Sequence, residues 1–276
     1  ITQAVSTSAS SKGGDVTLNI VGGKGGEGTA YISTYGAGAW GVLAQSIGGG
    51  GGLFGDTSLD IVGVPRAVIS GADRCGNDVC KSGRVEINLQ DAIIKTFGKN
   101  SHGIVAQSWN GGGGVFAGSE QEEAATLVMG SKVSGGSSAE IGDDSGAFLS
   151  VILDETSIVS ASGDGAIAIL AQTNILSSSV PIQILNSGTV TGGADYTNTS
   201  ANNRVVHGVG VMISGGSDVG ANSLVNAGSI STVGGVQSGY AIMTDHGVTN
   251  IDNFGTITGS VDLGSNPGTF TNESGG

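Results

Sequence analysis

The sequence WGVLAQSIGGGGG, residues 40–52, joins a short run of alternating side chains to five consecutive glycines. It returns as HGIVAQSWNGGGG at residues 102–114 and, without the glycines, as AIAILAQTN at residues 166–174. The three copies align on a glutamine, which is Gln45, Gln107 and Gln172 in turn. Separations of 62 and 65 residues between these glutamines indicate a repeat architecture.

Weaker copies of the same apolar pattern follow in GVMIS at residues 210–214 and AIMTD at residues 241–245. Ser214 and Asp245 stand there at the position of the glutamine. Because side chains alternate along a strand, we expect the valine and alanine of GVLAQ to face one side and its leucine and glutamine the other.

A second motif reads NSGTVT at residues 186–191, NAGSIS at 226–231 and NFGTIT at 253–258, with a partial NESG at 272–275. The asparagines are 40, 27 and 19 residues apart. Intervals of about 20 to 27 residues are typical of one unit of a stacked β solenoid. The glycine tolerates a left-handed φ, and the residues after it begin a β-branched strand. Since stacked strands lie roughly 4.8 Å apart, equivalent asparagines are expected to form a hydrogen-bonded ladder.

The composition excludes several classes of protein and partner. Of 276 residues, 53 are glycine, but not at every third position, which excludes collagen. The net charge is −13, and the 10 Lys and Arg residues are scattered, so we expect neither nucleic acid nor an anionic membrane as a partner. No apolar run approaches the roughly 20 residues of a membrane helix, and residue 1 starts without a signal sequence. We therefore expect a mature segment or a fragment of a longer chain.

The glycine runs are expected to leave the stack as mobile loops, Gly48 to Gly52 and Gly111 to Gly114, because five glycines exceed the need of a tight turn. Trp40, Trp109, Phe54 and Phe116 flank these runs. Either the aromatic residues stack in the core, or Phe54 and Phe116 are exposed and form a ridge for a partner. The candidate partner-contact residues are Gly48, Gly52, Phe54, Gly111, Gly114 and Phe116.

The two cysteines, Cys75 and Cys80, occur in CGNDVC within a polar stretch. The spacing favours a disulfide that closes a small loop in an oxidising compartment. A zinc site would need further ligands, and the nearest histidine in sequence is His102. Reduced, inert thiols are the remaining alternative.

Several short patterns could carry enzymatic chemistry, and none of them is complete. Gly142 to Gly146 reads GDDSG, in which an added carboxylate breaks the GDSG loop of trypsin-like proteases. The paired carboxylates Asp143 with Asp144, Asp154 with Glu155, and those of residues 120–123 are expected to be solvated, because neighbours on a strand face opposite sides. The glycine runs precede neither Lys-Ser/Thr nor a helical pattern, so they are not phosphate loops. We expect no catalytic residue, no metal site and no cofactor.

The first repeat resembles the passenger repeats of large bacterial autotransporters. The resemblance rests on Asp15-Val16-Thr17 with Asn19, the spacer at residues 36–38, and Gly41 to Ile47 with its glycine run. The NxG[TS][VI][TS] copies resemble the passenger region nearer the translocating barrel of that family. Together these motifs cover most of the chain, and residues 56–83 and 115–146 match least.

The resemblance implies an all-β fold, a right-handed parallel β-helix, here with protruding glycine-rich loops. It also implies export through the outer membrane by a C-terminal β-barrel that this segment does not contain, and display at the bacterial cell surface or release outside the cell. We expect one elongated domain over residues 1–276, less regular and loop-bearing over 1–146 and more regular over 147–276.

The function expected from these features is that of a non-enzymatic adhesin, whose partner is a host cell surface, an extracellular matrix protein or a glycan. One alternative is a carbohydrate-active β-helix enzyme, which predicts carboxylates converging in a cleft. Another is a structural stalk whose binding tip lies outside the segment.

Replacing both cysteines, Cys75→Ala with Cys80→Ala, is expected to leave the β-sheet circular dichroism signal unchanged, because a small surface loop contributes little to the stack. Circular dichroism of the oxidised wild type and the double variant under the same conditions checks this. Collapse of the β signal in the variant would contradict the assignment of the cysteines to a surface loop.

Overall fold

The computed structural model describes residues 13–23, 28–48, 51–55, 81–109, 113–117, 149–173, 181–199, 203–216, 220–245, 247–264 and 268–274. Within these ranges the chain is all-β, and its one helical element is the 3-10 turn Gly235–Gln237. In chain order the strands are β1 (Val16–Val21), β2 (Ala30–Thr34), β3 (Val42–Ile47), β4 (Gly51–Gly55), β5 (Val85–Gln90), β6 (Ala92–Thr96), β7 (Ile104–Trp109), β8 (Gly113–Ala117), β9 (Leu149–Leu153), β10 (Ile158–Ala161), β11 (Ile167–Thr173), β12 (Ile182–Asn186), β13 (Thr189–Gly192), β14 (Tyr196–Asn198), β15 (Arg204–Val206), β16 (Val209–Gly215), β17 (Asn222–Asn226), β18 (Ser229–Thr232), β19 (Tyr240–Asp245), β20 (Thr249–Asn253), β21 (Thr256–Thr258), β22 (Ser260–Asp262) and β23 (Thr269–Asn272).

Three parallel sheets contain most of the strands. Sheet A has the order β1-β5-β9-β12-β17-β20-β23, sheet B the order β2-β6-β10-β13-β18-β21, and sheet C the order β3-β7-β11-β16-β19-β22. The chain passes through A, B and C in turn, and each such passage, called a circuit below, adds one strand to each sheet. Six circuits are complete among the described residues, and β23 adds a seventh strand to sheet A.

Two small additions interrupt this order. In the first two circuits a further strand follows sheet C, and these strands, β4 and β8, form a parallel pair. In the fourth circuit the antiparallel hairpin β14–β15 stands between sheet B and sheet C.

The core lies between the sheets and is built from equivalent apolar residues stacked in columns. In sheet C one column contains only aliphatic side chains, Val42, Ile104, Ile169, Val211, Ile242 and Val261. Burial alternates along β3, where Val42 and Ala44 are buried and Leu43 and Gln45 are only partly so. The alternation predicted for GVLAQ is therefore confirmed. It arises because successive side chains of a strand point to opposite faces.

The strand register also confirms the glutamine repeat. Gln45 pairs with Gln107, Gln107 with Gln172, and the column continues through Ser214 and Asp245. The amide of Gln45 donates to Gln107 Oε1, and Gln107 Nε2 donates to Gln172 Oε1 at 3.2 Å. Gln107 and Gln172 are buried, so each amide satisfies the next in place of water.

The predicted asparagine ladder is also present at the end of sheet A. Nδ2 of Asn186 donates to Oδ1 of Asn226 at 2.7 Å, and Asn226 donates in the same way to Asn253 at 2.7 Å. Asn253 then donates to Asn272 at 2.6 Å. The first three side chains are buried, so the ladder runs through the interior at β12, β17 and β20 and ends at exposed Asn272 of β23.

The glycine of the NxG motif has a different role from the one expected. Gly188, Gly228 and Gly255 are absent from the residues of positive φ, so no left-handed turn requires them. A Cβ on Gly228 would collide with the carbonyl oxygen of Gly188, and one on Gly255 with that of Gly228. The glycine is therefore needed because consecutive circuits bring their backbones into contact at this corner.

The expectation that the glycine runs project as loops is wrong for the glycines placed in strands. Gly51 and Gly52 lie in β4 and pair with Gly113 and Gly114 of β8. Gly48 is buried, and its N–H donates to the carbonyl of Trp109 at 2.9 Å. Glycine keeps both backbone hydrogen-bonding groups, and here the equivalent run of the next circuit satisfies them. Gly111, Cys75 and Cys80 lie outside the described residues.

Asn226→Ala is expected to lower the free energy of unfolding by about 2 kcal/mol or more, because it leaves Asn186 Nδ2 and Asn253 Oδ1 without their ladder partner in a buried position. The measurement is the urea midpoint of the purified chain. The matched control is Asn88→Ala, which removes an exposed Asn19–Asn88 bond of 2.9 Å and should cost less than about 0.5 kcal/mol. Equal losses in the two variants would show that burial of the ladder contributes nothing.

Candidate interaction surface

The outer face of sheet B is a regular surface of partly or fully exposed side chains that extends along all six circuits. Two columns of side chains form it, because every second residue of each strand points outward. The first column is Tyr31, Ile93, Ile158, Thr189, Ser229 and Thr256. The second column is Ser33, Lys95, Ser160, Thr191, Ser231 and Thr258.

One end of this face is aromatic. Tyr31, Tyr35 and Phe97, called the aromatic cluster below, are 57%, 74% and 44% exposed. The Phe97 N–H donates to the carbonyl of Thr34 at 3.0 Å, which places Phe97 beside Tyr35 at the corner between sheets B and C. Their rings stack with centroids 5.0 Å apart and planes inclined by 12°. Large aromatic side chains are usually buried, so these exposed rings make this end of the face a candidate contact surface.

The other end of the face carries hydroxyl groups. Circuits four to six place Thr189 with Thr191, Ser229 with Ser231, and Thr256 with Thr258 on the outer columns, a set called the hydroxyl ladder below. The hydroxyls of Thr191 and Ser231 lie 3.3 Å apart. All six side chains are at least partly exposed, and each can donate and accept a hydrogen bond.

Charge is nearly absent from this face. The chain contains 23 Asp and Glu residues, yet the twelve positions of the two columns include no carboxylate and one cation, Lys95. The outer face of sheet A differs, since it presents Glu86 and Asp252. Among the described residues, the carboxylates of Asp91, Asp154 and Glu155 lie beside this face, at the corner between sheets A and B, and not in the two columns.

A repeated sequence motif underlies the aromatic cluster. AYISTYG at residues 30–36 and AIIKTFG at residues 92–98 have the same alternation, with an apolar residue at the first outer position and an aromatic residue at the corner. Strand alternation alone puts these side chains outward. Only the register shows that Tyr35 and Phe97 are neighbours.

The tryptophans that flank the glycine runs belong to a second apolar cluster, on the outer side of sheet C. There Trp40 and Trp109 pack against buried Val105, Leu170 and Met212. Trp40 Nε1 also donates to the carbonyl of Asn100 at 3.2 Å. For the two tryptophans the stacked, packed alternative is therefore the observed one.

Phe54 and Phe116 are brought together by the paired strands β4 and β8, in which they occupy the same register position. Their side chains lie outside the described part of the structure, so the predicted ridge stays a prediction. β4 and β8 both contact β3.

The Asp154 carboxylate forms hydrogen bonds with neighbouring residues of the fold. It accepts hydrogen bonds from Ser157 Oγ at 2.6 Å and from the Asp91 N–H at 3.1 Å, and it also bonds Thr156. Burial raises the pKa of Asp154, but the hydrogen bonds from Ser157, Asp91 and Thr156 together outweigh this and lower it below the usual value. Asp154 thus joins the second and third circuits at the corner between sheets A and B. The other acidic pairs weighed from the sequence, Asp143 with Asp144 and residues 120–123, lie outside the described residues.

His102 is the most perturbed titratable group of the described residues. Its Nδ1 accepts the Ile167 N–H at 3.0 Å, so Nε2 carries the proton, and Nε2 is buried with no hydrogen-bond partner. The ring lies 5.4 Å from that of Trp40. Desolvation lowers the pKa of His102 to about 3, so the side chain is neutral near pH 7.

Two further observations concern the described residues as a whole. No group of three or more His, Cys, Asp or Glu side chains in that part of the chain is arranged to hold a metal ion. No helix there is long and apolar enough to cross a membrane.

The buried neutral His102 is expected to make the protein less stable as the pH falls below 6.5. The unfolded chain binds a proton at about pH 6.5, whereas the folded chain does so only near pH 3, which removes about 2 kcal/mol of stability at pH 5. His102→Gln keeps an acceptor for Ile167 and does not titrate. The difference in unfolding free energy between pH 7.5 and pH 5 should therefore be about 2 kcal/mol smaller in this variant than in the wild type. An unchanged difference would show that His102 is accessible to protons in the folded state.

Comparison with known proteins identified no relative of this chain. No protein-family model matches the sequence, and no curated protein and no solved structure is significantly similar to it.

Proposed function

We propose that this chain is a segment of a bacterial autotransporter passenger and that it acts as a non-enzymatic adhesin for host cell or matrix components. The two sequence motifs that carry the family resemblance support the proposal, because both coincide with the circuits. The AQS motif recurs at one position of sheet C, and the NxG motif at the corner after sheet A.

We also propose that the three parallel sheets are the faces of a right-handed β-helix. The constant order of the sheets and their parallel pairing support it. Connections between parallel strands are overwhelmingly right-handed, because the twist of the strands favours that direction. Such a solenoid suits display at the cell surface, since its length grows with each circuit while its cross-section stays constant. Export would depend on a membrane barrel outside this segment.

The observation that carries the adhesin proposal is the aromatic cluster. Tyr31, Tyr35 and Phe97 expose large apolar surfaces on the face of a regular, rigid stack. Exposed aromatic residues of this kind supply much of the binding energy at protein interfaces. Tyr31 lies in β2, and Tyr35 and Phe97 directly follow β2 and β6, so short connections to strands hold the three side chains in an arrangement that a partner can recognise at low entropic cost.

A structural stalk is the second candidate, and the asparagine ladder favours it. From the fourth circuit onward the buried ladder of Asn186, Asn226 and Asn253 repeats in every circuit. Such a repeat stabilises the stacking of consecutive circuits, and hence an elongated structure, but it does not by itself recognise a partner.

The test is concentration-dependent binding of the purified chain to cultured host cells and to immobilised matrix proteins, at low and physiological salt. The triple variant Tyr31→Ala, Tyr35→Ala, Phe97→Ala is expected to lose about tenfold or more in affinity, because aromatic anchors dominate such contacts. The matched control is Val236→Ala with Phe254→Ala, which removes exposed apolar groups at the other end of the chain and should bind as the wild type does.

Absence of saturable binding to every surface would overturn the adhesin proposal in favour of the stalk. Binding that survives in the triple variant would move the site away from the aromatic cluster. Shortening the segment between Gly48 and Gly83 would then test the partner-contact region expected from the sequence, which includes Phe54.

A further inference from the structure

We infer that the outer face of sheet B binds a linear, uncharged glycan that lies along the stacking axis, across successive circuits. The inference rests on the proposed adhesin function and names the ligand class of its site. Three properties of the face carry it: the aromatic cluster, the hydroxyl ladder and the near absence of charge.

The aromatic cluster provides a surface for sugar rings. The C–H faces of a pyranose are apolar, and they pack against aromatic rings that are exposed and held in place. Tyr35 and Phe97 are held by mutual stacking, with a centroid distance of 5.0 Å. At the next circuit the equivalent position is Ser162, whose N–H donates to Thr96 as that of Phe97 does to Thr34. Because serine is small, the aromatic stack at this corner consists of Tyr35 and Phe97.

The hydroxyl ladder continues the face in the direction of the axis. Sugar hydroxyls both donate and accept hydrogen bonds, and so do the side chains of Thr189, Ser229 and Thr256 and of their second-column neighbours. Strands repeat roughly every 4.8 Å, so six circuits span about 24 Å, comparable with the length of an extended hexasaccharide. A polymer with a short chemical repeat can therefore meet similar groups at successive circuits.

The charge distribution selects an uncharged ligand. With a net charge of −13, the protein repels acidic polysaccharides at long range. The two columns of the face offer one cation, Lys95, and Lys99 beyond the corner lies over the Tyr196 ring, 4.0 Å from its centroid, so few cations are available for a polyanion such as heparin. A neutral glycan is not repelled by the net negative charge of the protein. Its binding to the two columns also does not require a carboxylate to lose its water.

The experiment is isothermal titration calorimetry of the purified chain with cellohexaose, laminarihexaose and chitohexaose, with the corresponding disaccharides and with a heparin hexasaccharide. At least one neutral hexasaccharide is expected to bind, about tenfold more tightly than its disaccharide, with little dependence on salt. No binding by any neutral hexasaccharide, or binding of heparin alone, would overturn the inference.

Two variants test the two ends of the face. Tyr35→Ala with Phe97→Ala should weaken hexasaccharide binding about tenfold, and Thr256→Ala with Thr258→Ala about threefold. The matched control is Thr17→Ala with Thr271→Ala, exposed threonines on the outer side of sheet A, which should change nothing. Circular dichroism and urea midpoints verify that each variant is folded. Equal weakening by the control would overturn the assignment to sheet B.

Failure of this inference is distinguishable from failure of the adhesin proposal. Binding to host cells or matrix proteins without binding to neutral glycans overturns the inference and leaves the adhesin proposal standing. Glycan binding that is lost in the aromatic variant, together with loss of cell binding in that variant, supports both.

Discussion

Parallel, in-register stacking is the constraint on which the rest of this structure depends. Because each circuit lies directly on the preceding one, every side chain has an equivalent neighbour about one strand spacing away. Polar residues can then be buried when they repeat, since one amide satisfies the next, as in the Gln45–Gln107–Gln172 column and the Asn186–Asn226–Asn253 ladder. The same closeness excludes any Cβ where backbones touch, which is why Gly228 and Gly255 recur.

The three sheets use their outer faces differently, although all share one kind of interior. The outer side of sheet C is largely covered: Val105 and Leu170 are fully buried there, and so are Gln107 and Gln172 of the glutamine column. The outer side of sheet B remains open and changes along the axis from aromatic to hydroxylated. In this stack the columns between the sheets provide the stability, whereas the outer face of sheet B is not needed for the core.

Much of the fold could be predicted because the same kind of contact occurs in several circuits, so the residues that form it recur in the sequence. The spacing of Gln45 and Gln107 gave the register of sheet C, and the NxG copies gave the asparagine ladder. Two interpretations of glycine were wrong. Gly51 and Gly52 lie in a paired strand, and Gly228 serves close backbone contact rather than a left-handed turn. Glycine permits both uses, so its occurrence alone cannot distinguish a loop from a tightly stacked strand.

The sequence by itself determined the all-β class, the parallel stacking of repeats and the alternation of inner and outer side chains. These are local or periodic properties, because a strand has a two-residue period and each circuit repeats its own pattern. Only the tertiary structure decided which outward residues remain exposed and which become neighbours. Tyr35 and Phe97 are exposed and stack on each other, whereas Trp40 and Trp109 pack into the apolar cluster on the outer side of sheet C, although all four are aromatic residues at or next to the end of a strand. The difference arises from which sheet face each residue occupies and from what covers that face, which depends on packing between distant segments.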